Sequence, residues 1–390
     1  MSVKVLAVGD PAVHGYVDPE LGILRKYQER QGVSVDFDIL PWDQYAERLF
    51  VEVRKARPDY DVVMVAGHVW LAEFVTKGYL APLDSYQALR DPAYDPGDIH
   101  PSVASEMSYQ GNSWLVPSFT DGHLLYAREE VSNLLRKEDL CDPRRYLELA
   151  ELIQKSESSY RAPLAMKISP GEVFLDWLPY LYAFGGDCFS SSGEPLFADD
   201  AGRRSLEYYL DLTKYLSSSH KPFGNEEVAR ALRRGEVSFG LSWGGQAGVI
   251  VTEQHVKEEA FFFVTPNHPW NVTWSFGVLA GSQRKDEAVD VLAWLSSRET
   301  DRLIGVYAGS PVRRSTYGDE DLRRRCPWFP AQERLLERAR LLPHLSNLGS
   351  LMAPLYSEIT RAIEGECSGS DALARAAQEV MLRRDNKKTT

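Results

Sequence analysis

Thr120 and Asp121 stand between two apolar stretches in VPSFTDGHLLYARE (116–129), each of which reads as a strand. A hydroxyl and a carboxylate at such a handover have two uses. They can close a turn on their own backbone. They can also accept hydrogen bonds from ligand hydroxyls at a hinge beside a binding cleft. Flat aromatic faces can cover apolar patches of a ligand, and planar polar groups can bond its polar atoms. The chain has nine tryptophans. Trp243 ends the apolar run VSFGLSW (237–243) and precedes Gly244-Gly245, where a ligand can approach bare backbone; the competing reading is a core tryptophan at a strand end. Trp42 and Trp70 follow the second and third predicted strands, and Trp274 opens another, TWSFGVLAG (273–281). Trp177 heads a helical stretch, where core packing competes with ligand contact. Trp294, with Leu292 and Leu295 beside it, reads as core. His68 follows Gly67 in the loop after the third strand; a neutral imidazole there can donate to or accept from a hydroxyl. Asp10 and His14 come after the first strand.

Covalent chemistry has weaker support. A glycosidase needs two facing carboxylates, about 5–5.5 Å apart for retention or about 6.5–9.5 Å for inversion. Asp10 and Asp121 are the candidate cleft acids, and spacing in sequence does not bring them together. No G-x-S-x-G elbow, H-E-x-x-H or P-loop occurs. GECSG (365–369) mimics a cysteine elbow but follows the helical YSEITRAIEG, so it reads as a turn between helices. Cys141, Cys188, Cys326 and Cys367 are scattered without a C-x-x-C pair, which disfavours zinc; they are free thiols or bridges. The expectation is a protein that is not an enzyme and needs no metal or cofactor.

These residues must be positioned by elements. At 390 residues the chain exceeds one ordinary core and predicts two domains or lobes. A net charge of −12, with only Arg323-Arg324-Arg325 and Lys387-Lys388 as basic clusters, gives nucleic acid nothing to hold. No window reaches the roughly 18 apolar residues of a membrane span. The first 85 residues alternate: strand VKVLAVG, a helix with Asp18-Pro19-Glu20 as cap and first turn, Gly32 as its stop, strand VSVDFDIL, a helix over 43–57 ended by Pro58, strand YDVVMVAG and helix VWLAEFVTKG. That order predicts a parallel sheet with right-handed crossovers. Ligands of such sheets bind beyond the carboxyl ends of the strands, here Gly9-Asp10, Pro41-Trp42 and Gly67-His68-Val69-Trp70. PLAMKI (163–168), VSFGLSW and FFFVT (261–265) read as strands of a second α/β unit, and 330–342, 350–364 and 370–385 as helices.

Ordered along the chain, DVVMVAGHVWLAEFVTKGYLAPLD (61–84), WLVPSFTDGHLLYAREE (114–130), YAFGGDCFSSSGEPLFADDAGRRSLEYYLDL (182–212), ALRRGEVSFGLSWGG (231–245) and AGSPVRRSTYGD (308–319) resemble the family 1 extracellular solute-binding proteins, the sugar-binding components of ABC importers related to maltose-binding protein. The resemblance covers nearly the whole chain. It implies a two-lobed periplasmic-binding-protein-like fold of type II, each lobe a mainly parallel sheet flanked by helices, with a cleft between. It places the first lobe at 1–118 plus 277–312 and the second at 119–276 plus 313–390, with strand crossings near 118–122, 276–280 and 311–317. Thr120 and Asp121 then fall at the first crossing, Trp274 on the strand that crosses back, and Arg313 at the third, where it forks onto ligand oxygens or braces a carboxylate. The implied function is capture of a carbohydrate, as a monomer, for delivery to the transmembrane subunits of an ABC permease by cleft closure. A glycan-acting enzyme and a ligand sensor for a signalling partner are the alternatives on the same fold. The resemblance implies an extracytoplasmic location with the signal segment outside this sequence; Met1 leads directly into the first strand, which keeps a cytoplasmic location as the alternative.

Overall fold

Every side chain of VVMVA is apolar, and the strand it forms is buried on both faces. In the computed structural model, which describes residues 2–156, 160–217 and 222–386, this is β3 (Val62–Ala66); Lys387-Lys388 lies outside the described residues. β1 (Ser2–Val8) pairs parallel with β3 and with β2 (Ser34–Leu40), whose alternating residues suit the sheet edge. A short hairpin, β4 (Ser108–Tyr109) with β5 (Asn112–Ser113), precedes β6 (Val116–Thr120). β7 (His123–Arg128), β8 (Ala162–Ala165), β9 (Val237–Trp243) and β10 (Phe261–Val264) form a second sheet, and β11 (Thr273–Val278) returns to the first. The orders are β2-β1-β3-β11-β6 and β10-β7-β9-β8. In each sheet one strand runs against the rest: β11 against β3 and β6, β7 against β9 and β10. Most strands of each sheet therefore share one direction, and helices separate β1, β2 and β3 as the alternating pattern predicts, whereas β4 to β7, and β10 and β11, follow one another without a helix.

Local chemistry adjusts the helices. Asp10 caps a helix Pro11–Val17 that the sequence reading did not include; its carboxylate accepts from the Ala12 N–H at 2.9 Å, and Pro11 fills the first turn. Asp18 is consequently not the cap of the next helix. It ends the first one, its side chain closes the turn through the Glu20 and Leu21 N–H groups, and Ile23–Gln31 starts after Gly22. Gly32, at φ 69°, stops that helix as expected. Trp42 is the first residue of helix Trp42–Glu52, and Gly67 and His68 open helix Gly67–Thr76, so these residues stand on helix starts rather than in loops. The C-terminal helices are Phe329–Arg338, Leu348–Ile363 and Gly369–Asn386. Among the described residues no helix is long and apolar enough to cross a membrane, and the four cysteines are unbridged.

The chain divides into two units: Met1–Asp121, Gly245–Val249 and Val272–Pro330 in the first, Gly122–Gly244, Ile250–Asn271 and Ala331–Thr390 in the second. The first border lies within the expected 118–122. The other limits differ from the sequence reading for two reasons. β11 pairs with β3 over its length from Trp274 to Val278, so the chain has already returned to the first unit before 276. Residues 313–330 stay there as well because Arg313 is fully buried in it, with Nε donating to the Ser296 carbonyl at 2.7 Å and Nη1 to the Asp95 carbonyl at 3.0 Å.

Candidate functional site

Strand direction gathers the first unit's candidates at one sheet edge. β1, β2, β3 and β6 end there, and β11 begins there: Trp274 pairs with Ala66 and Thr273 with Thr120. Asp10 and His14 follow β1, Trp42 follows β2, Gly67, His68 and Trp70 follow β3, and Thr120 and Asp121 end β6. Three tryptophans separated by up to 232 positions of sequence (274 − 42) meet. Trp42 stacks on Trp70 with ring centroids 6.0 Å apart and planes 16° from parallel, and Trp274 stands edge-on to both, at 5.7 Å and 6.2 Å. Trp70 is buried and stacks onward on Phe74, whereas Trp42 is 47% exposed. A broad aromatic face is thus held rigid from below and open above.

The polar groups at this edge differ in availability. His14 is exposed, Asp10 half-buried and His68 buried. Burial pushes the Asp10 carboxyl up to about 7, against the pull of the Ala12 N–H. Gly67 is there for packing: a Cβ would lie 3.2 Å from the Leu115 side chain and 3.3 Å from the Glu106 carbonyl. Asp121 is more than a local turn residue. Its Oδ1 accepts from the Gly245 N–H at 3.1 Å while its own N–H donates to the Val272 carbonyl at 2.7 Å, which ties three passes of the chain together in the first unit. Buried Thr120 donates its N–H to the Ser310 carbonyl at 3.2 Å. Arg313 braces carboxylates: Nη1 lies 3.4 Å from Asp98, and the guanidinium covers the Tyr94 ring at 4.9 Å.

The second unit has its own edge, where β8, β9 and β10 end and β7 begins. Gly122 opens it, and no Cβ fits there, since one would fall 2.7 Å from the Trp270 carbonyl oxygen. His123 pairs with Trp243 across β7 and β9, their rings 3.9 Å apart, and Trp270 lies 5.5 Å and 5.6 Å from the two. Trp243 is itself buried rather than presented as an open face. Lys167, just past β8, is fully buried. Its Nζ sits 2.9 Å from His123 Nε2, 3.1 Å from Asp176 Oδ1 and 4.7 Å from the centre of the Trp243 ring. Asp176 also accepts from the Tyr209 hydroxyl at 3.1 Å and the Lys167 N–H at 3.2 Å. Burial works to raise the Asp176 carboxyl, but the Lys167 ammonium outweighs it and holds it below the usual range. Burial first, and then the Lys167 ammonium, push His123 down to about 3, so the imidazole is neutral at physiological pH.

Trp177 lies in helix Val173–Ala183, fully buried, and serves the core. Trp294 is only partly buried; its indole N–H donates to the Ile23 carbonyl at 3.0 Å and Arg30 covers its face at 4.7 Å. The sequence reading passed over His123, Lys167, Asp176 and Trp270. A signal for two of them was present: Lys167 ends the apolar PLAMK, and Asp176 interrupts the apolar VFLDWLPYLYA. Charges in segments bound for burial require partners.

A pH dependence follows from His123. Its folded value of about 3 lies below the ordinary 6.5, so as pH falls through about 6.5 the unfolded chain takes up a proton that the folded chain refuses. Folding should therefore lose about 2 kcal/mol from this group between pH 6.5 and pH 5. Asp10 and Asp301, raised by burial to about 7 and about 6, act in the opposite sense over that window. The readout is the difference between wild type and His123→Gln in denaturant melts at the two pH values. Equal pH slopes would exclude a neutral buried imidazole.

Residues 11–301 match the profile of the bacterial extracellular solute-binding proteins. A probable amino-acid ABC transporter periplasmic-binding protein of Sinorhizobium fredii is 25% identical, over 79% of this chain and 73% of its own. The mannitol-binding protein of Pseudomonas aeruginosa is 23% identical, over 89% and 86%. Among solved structures, maltose-bound MalE3 of T. maritima superposes with a TM-score of 0.81 at 19% identity, covering 98% of this chain and 99% of that one. A solute-binding protein of Agrobacterium vitis with bound D-mannitol gives 0.80 at 18% identity, covering 100% and 99%. At these identities the superpositions establish the fold, that of the two-lobed periplasmic binding proteins.

Proposed function

Because this chain belongs to the bacterial extracellular solute-binding protein family, we propose that it binds a neutral carbohydrate or polyol and delivers it unreacted to the permease of an ABC importer. The observation that carries the choice of ligand is the Trp42–Trp70–Trp274 cluster at the carboxyl edge of the first sheet, with one indole face open. Such a face covers the C–H side of a sugar or polyol, and Asp10, His14, His68, Thr120 and Asp121 at the same edge supply acceptors and donors for its hydroxyls. The neighbours and the relative whose names carry maltose or mannitol support the same class. The protein acts outside the cytoplasm, as a monomer, and performs no covalent step.

A thermal-shift screen over monosaccharides, oligosaccharides, polyols and amino acids tests this. A ligand at 100 times its Kd adds about 2.7 kcal/mol of stability, visible as a shift of a few degrees or less. Amino acids are the competing class, given the name of the Sinorhizobium relative; stabilisation by them alone would reject the carbohydrate assignment. The stabilising sugar should be recovered intact after long incubation, and product growing in proportion to protein would mean an enzyme.

Ligand should also make the chain more compact. The borders after Asp121, Gly244, Val249, Asn271 and Pro330 are short backbone crossings able to absorb dihedral change while each unit moves rigidly. Solution scattering should give a smaller radius of gyration with saturating ligand than without. An unchanged profile at confirmed saturation would reject closure.

A further inference from the structure

Several buried N–H donors of the second unit have no hydrogen-bond partner among the described residues, and two of them, on His123 and Trp270, lie together at one sheet edge. Lys167 Nζ lies 2.9 Å from His123 Nε2. Nε2 also lies 3.5 Å from Asp176 Oδ1, but the nearer ammonium only donates, so Nε2 accepts from Lys167 and the imidazole proton resides on Nδ1. His123 is 1% exposed, and its Nδ1 has no hydrogen-bond partner among the described residues. Trp270, also 1% exposed, has its indole Nε1 in the same condition. The two rings are 5.5 Å apart, and both pack on Trp243 at the edge where β7 begins and β9 ends. Buried donors are nearly always satisfied, and leaving one unpaired is costly, so a pair of them side by side at a sheet edge points to an acceptor supplied from outside the chain.

We propose that His123 Nδ1–H and Trp270 Nε1–H form a donor pair for an uncharged oxygen of the ligand, a hydroxyl or ring oxygen of a sugar or polyol, with Lys167 as the positioning residue that fixes the imidazole tautomer. The inference rests on the carbohydrate reading above and extends it to residues not otherwise assigned to the ligand. Charge selects the oxygen. The Lys167 ammonium is matched by Asp176 at 3.1 Å, and the imidazole is held neutral by burial and by that ammonium. Glu172, whose buried carboxyl is shifted upward, stands on the same side of the balance as Asp176. The cluster has no surplus positive charge to repay the desolvation of a ligand carboxylate.

Calorimetric titration of the full chain with D-mannitol, maltose and D-gluconate is the test. If neither neutral probe binds, the sugar or polyol found by the thermal-shift screen replaces them, and a screen that finds none removes the functional reading and this proposal together. For a probe that the wild type binds, Trp270→Phe, which keeps the ring and loses the N–H, should weaken binding about tenfold, as should His123→Phe. His123→Asn carries an amide N–H near the place of Nδ1 and should retain more affinity than His123→Gln, which reaches the place of Nε2 instead. Nitrogen NMR on histidine-labelled protein should find the His123 proton on Nδ1, with its resonance moving on addition of the bound probe. A purely structural histidine would alter melting without that movement. Unchanged affinity in Trp270→Phe and in whichever His123 variants melt cooperatively overturns the donor pair while leaving the functional reading intact. Tighter binding of D-gluconate than of D-mannitol overturns the uncharged oxygen.

Discussion

Lys167→Met is expected to cost about 3–5 kcal/mol of folding stability, because it leaves the Asp176 carboxylate buried without its counter-charge. The ammonium lies 3.1 Å from that carboxylate, and both side chains are almost wholly removed from water. The Tyr209 hydroxyl and the Lys167 N–H still reach Asp176 in the variant, at 3.1 Å and 3.2 Å, but neither carries a charge. The double variant Lys167→Met/Asp176→Asn should recover most of the loss, since a neutral amide can use the same two donors and no charge remains buried. Denaturant melts of the wild type, both single variants and the double variant form a cycle whose coupling isolates the pair. A loss below about 1 kcal/mol in Lys167→Met would mean that water reaches the pair and that it is not buried as described.

Trp42→Ala should separate binding from stability in the opposite way. The ring is 47% exposed and rests on Trp70, so much less of its surface leaves water on folding than for a fully buried tryptophan. Its open face is the one proposed to meet the ligand. The variant should weaken binding by about 2 kcal/mol, or roughly thirtyfold, with a small change in melting. Trp243→Ala should instead melt early by about 3–5 kcal/mol, as a buried aromatic does, since His123, Trp270 and Lys167 all pack on that ring. Trp294→Ala should cost less than Trp243→Ala, because part of its surface stays exposed under Arg30. Titration calorimetry and melts on the three variants decide the roles. Wild-type affinity in Trp42→Ala would remove the aromatic platform from the proposed site.

Periodicity alone determined much of this protein. A short continuous apolar run such as VVMVA between turn signals suits a strand covered on both faces, and an alternating one such as SVDFDIL a strand with one side covered. With helices between them β1, β2 and β3 must run parallel through right-handed crossovers, and the shared direction puts Asp10, Trp42, His68 and Trp70 at one edge, while the order β2-β1-β3 is a tertiary outcome. Chain order and short motifs carried the family. Tertiary structure alone decided three further things. It decided which sheet β11 joins, because a period of two marks a strand but not its partner. It decided that Arg313 braces Asp98 and that Trp243 is packed under a lysine, because side-chain burial depends on what arrives from distant sequence. And it brought His123, Lys167, Asp176 and Trp270 together across 147 positions (270 − 123). Local sequence could say that Lys167 and Asp176 each needed a counter-charge, since a lone buried charge is too costly to fold around. Only the paired strands, with the helix that follows β8, could say that each was the other's.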